Sequence, residues 1–271
     1  MKNYLYVLIL FLSFSSFSQS KIDQSKNEMN GRSHSSRQNS NDSGRSNNSD
    51  RYFDTDDATF WFFVVPRLAF FSFIGDYGNE QHLNNNLTDY PYYNVESGNY
   101  GNSDSPKKDI RLDIEDHLLY SNNHLYGNHL KVKIRPSHYF YLQSDFHQIF
   151  EKNKLDLTTD RLSVFYFNVG YDRVRLENFN LGWTVGTSYI GNEVKKAGVS
   201  VGINTEMFFS HKISVSAHAK WSAINGNPVN LYDIQMRYHN KRFFSSLGFE
   251  HLKMGTPNYN FITLGGGIYL N

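Results

Sequence analysis

Through the second half of this chain, alternate residues carry opposite chemistry. In Phe179-Asn180-Leu181-Gly182-Trp183-Thr184-Val185-Gly186 the odd positions are Phe, Leu, Trp and Val, and the even ones are Asn, Gly, Thr and Gly. Period two is the mark of a strand whose two faces meet different surroundings. The pattern recurs from about residue 130 to the end, with large aromatics on one face and full charges on the other. A soluble sandwich core is also apolar on one face, but it needs neither so many aromatics nor so consistent a set of charges opposite them. Lipid outside and a polar interior account for both faces. The alternation therefore predicts an all-β fold, an antiparallel transmembrane β-barrel.

Strands are expected near 126–135, 138–150, 161–174, 178–190, 197–208, 211–222, 229–239, 242–253 and 259–270. A first membrane strand bent at Pro66 is expected within 58–74, with a short hairpin as the alternative. The count is then about ten, with eight and twelve also compatible. Residues 75–124 read as a long external loop, in which Ile110-Arg111-Leu112-Asp113-Ile114-Glu115 suits a strand extension above the membrane. The connections near 136, 210 and 240 are tight. Those at 152–159, 191–196, 225–228 and 253–258 are longer. Short periplasmic turns and longer external loops are the habit of outer-membrane barrels, and this places the C-terminus on the periplasmic side. Mean hydropathy is −0.56, which is compatible with a barrel because only alternate residues face lipid.

The chain opens Met1-Lys2-Asn3, followed by an apolar run from Tyr4 to Leu12 and then Ser16-Phe17-Ser18. One positive charge, a short apolar stretch and a small-x-small site predict a signal peptide over 1–18. Without Lys2, the basic and acidic residues balance at 26 each. Balance argues against a nucleic-acid partner, which needs a basic excess on one face. There are no cysteines, which excludes disulfides, thiolate metal sites and an N-terminal lipid-modified Cys. Residues 19–56 are polar, with no aromatic between Phe17 and Tyr52, and are expected to form a disordered periplasmic tail, with a lumen plug as the alternative. The barrel is expected over 57–271.

From Leu130 to Asn271 the chain resembles the small outer-membrane β-barrel proteins of Gram-negative bacteria. Its closing segment, Phe261-Ile262-Thr263-Leu264-Gly265-Gly266-Gly267-Ile268-Tyr269-Leu270-Asn271, looks like their last strand, with the terminal aromatic displaced by two residues. The resemblance implies the outer membrane as location and outer-membrane lipids and lipopolysaccharide as surroundings. It also implies the barrel-assembly machinery as a partner that reads the C-terminal strand. It names no activity, because this fold hosts pores, adhesins, enzymes and plain structural proteins.

Parity assigns Lys131, Lys133, Arg135, Asp145, His147, Glu206, Lys220, Asp233, Arg237 and Glu250 to the lumen. It assigns Phe165, Phe167, Trp183, Val185, Val201, Trp221, Phe243 and Leu264 to the lipid face. A barrel of ten strands lies near the size that side chains still fill, so the charges are expected to close the lumen as ion pairs. A narrow solute pore is the alternative. A third reading comes from Glu250-His251-Leu252-Lys253-Met254, which loosely resembles the active-site region of the PagL-type lipid A deacylases. There a Ser follows the His by two residues; here that position is Lys253, and Ser245 lies six residues back. A nucleophile must lie within hydrogen-bond reach of its base, so no catalytic residue is assigned. The other histidines show no metal-ligand spacing, and no cofactor or metal is expected. The Asn-, Tyr- and Asp-rich stretch 75–108 is either a solvated loop or a binder of sugar or calcium. The expected role is structural or surface-interacting, without catalysis.

Overall fold

In the computed structural model, residues 20–31, 65–92, 98–102, 110–122, 124–153 and 158–271 are described. The alternating segments become ten strands: β3 (Arg111–Asn122), β4 (Leu125–Arg135), β5 (Phe140–Lys152), β6 (Thr159–Arg175), β7 (Phe179–Ile190), β8 (Lys196–Ser210), β9 (Ile213–Ile224), β10 (Asn227–Asn240), β11 (Phe243–Met254) and β12 (Asn258–Leu270). Each pairs antiparallel with the next, and β12 pairs back onto β3 through Leu270↔Leu112 and Ile262↔Tyr120. The result is a closed ten-strand meander, which leaves no edge with unpaired N–H and C=O groups. Before the barrel come α1 (Lys21–Met29), α2 (Val65–Phe73), a 3-10 turn (Gln81–Asn84) and a two-residue ladder of β1 (Asn86–Leu87) with β2 (Tyr100–Gly101).

The barrel has a proximal end, holding the C-terminus and the turns after β4, β6, β8 and β10, and a distal end. The distal β9–β10 connection is a two-residue turn in which Asn225 and Gly226 take φ of 51° and 77°. An Asn-Gly pair with both φ positive is the type I′ hairpin, whose twist matches that of its strands. This connection is shorter than the loop expected over 225–228, since Asn227 already pairs with Ile224.

Three layers fill the interior. At the distal end, Leu119, Ile149, Leu162, Val164, Leu231, Leu252 and Phe261 form an apolar layer, which Ile22 and Met29 of α1 complete. In the middle lie the charged side chains. At the proximal end, Tyr141, Tyr269 and Phe244 pack among Arg111, Arg135 and Arg237. Gly170 makes room for this layer, because a Cβ there would overlap the Tyr141 ring. Overpacking a filled core costs about 1–3 kcal/mol. Gly170→Val is therefore expected to lower the unfolding free energy of the detergent-folded protein by that amount, seen as a lower urea midpoint. An unchanged midpoint would mean that the Tyr141 ring is free to leave its place.

The structure revises the expectations for the N-terminal half. Residues 65–73 are helical, and no strand is formed there. Both parities are apolar, which fits no half-exposed strand, and Pro66 stands in the first helical turn, where its missing N–H costs nothing. The tenth barrel strand is instead β3, which sequence analysis placed in an external loop. Its inward residues Arg111, Asp113, Glu115 and His117 are buried. A bulge between Asp172 and Val174 turns Arg173 outward. There its guanidinium donates to the Ser72 and Phe71 carbonyls at 3.1 and 3.0 Å, and Trp183 Nε1 donates to that of Phe73 at 2.9 Å. The otherwise orphaned C-terminal carbonyls of α2 are thus satisfied, and the helix lies against the outer wall with Phe70 and Phe73 exposed. Arg173 also pairs with Glu80 at 2.7 Å, and this hydrogen bond holds the Glu80 carboxyl below its usual range.

Part of the expected tail is ordered as well. Residues 21–29 form α1, whose N-cap Ser20 accepts from Asp23 N, and α1 sits at the distal mouth. There Ser25 Oγ donates to Met254 O at 3.1 Å, and Asn227 Nδ2 donates to Glu28 O at 2.8 Å. The expected signal peptide and the tail beyond residue 31 lie outside the described residues. No described helix is long and apolar enough to cross a membrane.

Candidate functional site

Among the described residues, buried charged side chains gather inside the barrel from eight of the ten strands, while β7 and β12 contribute Asn, Ser, Thr and aromatic side chains to the same space. All ten side chains that parity assigned to the lumen are buried there: Lys131, Lys133, Arg135, Asp145, His147, Glu206, Lys220, Asp233, Arg237 and Glu250. Within the barrel strands, seven carboxylates and seven Lys and Arg side chains are buried, although Arg175 is turned to the proximal rim, where it donates to the Asp172 and Leu83 carbonyls and to Tyr77 Oη. Equal numbers matter because an unpaired buried charge is costly. Lys131 Nζ lies 3.2 Å from Asp233, Arg237 bridges Glu115 at 2.8 Å and Glu206 at 3.4 Å, and Lys220 pairs with Asp145.

Both mouths are covered. The Asn/Tyr/Asp-rich stretch was read as a solvated or ligand-binding loop, yet its described part packs onto the proximal mouth. Tyr100 Oη donates to Asp172, Arg135 donates to Asp172 and, at 3.2 Å, to Tyr100 Oη, and Arg111 Nη2 donates to Asn99 Oδ1 at 3.0 Å. Asn99 in turn donates to Glu206. This end holds the C-terminus, so the loop shares a side with it rather than lying opposite. The distal mouth is covered by α1.

Sequence reasoning missed the most concentrated group. His117, His129 and His147 are direct cross-strand partners on β3, β4 and β5. His129 and His239 are likewise buried inside the barrel. The His129 and His147 rings stack with centroids 3.7 Å apart, and Glu250 reaches them from β11. Neither ring nitrogen of His117 or His147 has a hydrogen-bond partner among the described residues. A buried polar atom left so costs about 1–3 kcal/mol. Spacing along the chain could not reveal this set, because strand register alone brings residues 117, 129, 147 and 250 together.

The outer wall is apolar. Phe165, Phe167, Val185, Val201, Trp221, Phe243 and Leu264 are exposed on it, and Trp183 is half-buried beneath the end of α2. At its distal rim, Lys152 and Arg161 stand over the stacked rings of Tyr126 and Phe150. His251 also faces outward. Its cross-strand partners are Tyr232 and Asn260, and its Nδ1 lies 2.5 Å from Asn260 Oδ1. Ser245 pairs with Gly266, far along the same strand, so it does not join His251 in an arrangement of the Ser–His kind.

No protein-family profile matches the chain, and no curated protein does. Solved structures similar to it include the outer membrane protein Ail of Yersinia pestis in a phospholipid bilayer nanodisc. That match has 12% identity and a TM-score of 0.34, and covers 59% of this chain and 98% of Ail. An outer membrane channel from Pseudomonas putida matches at 8% identity and a TM-score of 0.34, covering 59% of this chain and 94% of the channel. The KdgM porin matches at 7% identity and a TM-score of 0.36, covering 59% and 99%. Likenesses at these scores carry no argument about role, and the fold rests on the strand register described above.

Proposed function

We propose that this chain is an exported outer-membrane β-barrel with a closed interior, serving a structural or surface-interaction role without catalysis. One observation carries the reading: a closed ladder whose outer face presents large apolar side chains from every strand encloses a filled, charge-balanced interior. Lipid is the surrounding that suits such an outer wall. The α2 helix, with Phe70 and Phe73 exposed, suits the interfacial plane at the proximal end. With the C-terminus in the periplasm, α1 and the distal hairpins face outward, and the surface available to an external ligand lies there rather than on 75–108. At that height Lys152 and Arg161, seated on aromatic faces, suit the phosphates of lipopolysaccharide. The assembly machinery would read β12.

The pore reading is weaker because the apolar distal layer, the paired charges and the proximal segment each block the axis. In planar lipid bilayers the purified protein is expected to give no discrete conductance steps, while unboiled and boiled samples migrate differently on gels. Steps whose ion selectivity changes in Lys131→Met or Asp145→Asn would replace this proposal with the pore.

A further inference from the structure

Two imidazoles and a carboxylate meet in the sealed interior without a matching set of hydrogen bonds. His129, His147 and Glu250 each offer one ligand atom, and these atoms all lie within 4.8 Å of one another. All three residues are 0% exposed. Glu250 Oε2 is 2.7 Å from His129 Nδ1, and Oε1 is 3.1 Å from His147 Nε2. The second approach is close but misaligned for a hydrogen bond, so Glu250 Oε1 and His147 Nε2 are both without a hydrogen-bond partner among the described residues. Two buried lone-pair donors crowded together in this way are arranged for a shared cation. Ligands held at about 2.0–2.2 Å around one tetrahedral ion lie roughly 3.4 Å from each other.

The surroundings point the same way. On the far side of His129, Nε2 lies 3.3 Å from Asp145 Oδ1. Asp145 is itself fixed by Gln143 Nε2, 3.0 Å from each oxygen, and by Lys220. A carboxylate behind a ligating imidazole sets its tautomer and aims its other nitrogen at the metal. Nitrogen and oxygen donors without thiolate suit a divalent first-row ion, and imidazoles disfavour calcium and magnesium.

We propose that His129, His147 and Glu250 form a structural site for one divalent first-row transition ion, of the two-imidazole, one-carboxylate kind that zinc accepts. The site ties β4 and β5 to β11 across the barrel. Because all three ligands are 0% exposed and described segments cover both mouths, the ion enters as the barrel closes. The inference concerns the interior alone and does not depend on which membrane, if any, surrounds the wall.

Refolding the full chain from urea into detergent, with zinc chloride or with EDTA, tests it. After desalting, elemental mass spectrometry should find about one zinc per chain in the zinc arm, and that sample should unfold at higher urea than the EDTA sample. His147→Gln and Glu250→Gln should lose the bound zinc, whereas His218→Gln, on β9 outside the cluster, should keep it. A wild-type chain that retains no zinc, or a His147→Gln chain that retains as much as wild type, overturns the site. If the variants do not fold, X-ray absorption on the zinc-refolded wild type decides. Imidazole back-scattering with ligands at about 2.0–2.1 Å supports the site, and a shell without imidazole overturns it.

Discussion

Replacing Arg135 with Met is expected to remove about 3–5 kcal/mol of stability, the cost of leaving a buried charge without its partner. Arg135 is an end-of-strand residue on β4, yet it is buried. Its guanidinium pairs with Asp172, lies 3.7 Å from Asp113, donates to Tyr100 Oη and stands 5.0 Å over the Tyr141 ring. Methionine of similar length fills the space but leaves Asp172 facing a low-dielectric interior with only Tyr100 to donate to it. The double variant Arg135→Met with Asp172→Leu should recover part of the loss, because neither charge then remains to be desolvated. Arg135→Lys keeps the charge but not the planar fork, and should fall between. Urea unfolding followed by tryptophan fluorescence measures all three. A single variant as stable as wild type would mean that water reaches Asp172, and with it the closed interior would fail.

The same residue shows what sequence alone conveys. Arg135 alternates in step with Lys133 and Lys131, and period two is enough to place all three on one face. Strand existence and facing were legible wherever the two faces differ in chemistry, as in Trp183-Thr184-Val185-Gly186. Legibility stopped where that contrast weakens. β3 carries Asp116 on its outer face, hydrogen-bonded to Asn128, so its two faces differ less than those of its neighbours, and it follows directly on the loop-like stretch with which it was read. In Val65–Phe73 both faces are apolar, so periodicity does not distinguish helix from strand, and Pro66 serves either a strand bend or a first helical turn. α1 has few apolar residues of its own. It is held by Ile22 and Met29 reaching the distal layer, contacts that no local pattern contains.

The histidines mark a different limit. Parity gave His147 an inward direction, but only the register sets it beside His129 and opposite Glu250. Pairing of β3, β4 and β5 turns positions 117, 129 and 147, separated by unequal stretches of chain, into a row perpendicular to the strands. Closure of the sheet then brings β11 across to face that row. A sequence shows which way a side chain points long before it shows what the side chain meets.

The outer wall supplies the sharpest separation between a membrane barrel and a soluble one. Leu264 lies on β12 with Leu247 and Leu118 as its direct partners on either side, and it is 62% exposed. In water, Leu264→Arg would be nearly neutral, since the new guanidinium would be fully hydrated. In a bilayer the same change puts a charge near the middle of the apolar band, where it costs about 2–4 kcal/mol. Asn258→Arg, at the distal start of the same strand, is the depth control and should cost at most about 1 kcal/mol, because an arginine near the interface keeps its head in water. Both are measured by urea unfolding in phosphatidylcholine vesicles. A large loss for Leu264→Arg beside a small one for Asn258→Arg places hydrocarbon against β12 and sets its depth. Equal, small losses would mean that the exposed leucines never meet lipid, and the ring of aromatics around this barrel would then need a protein partner to cover it.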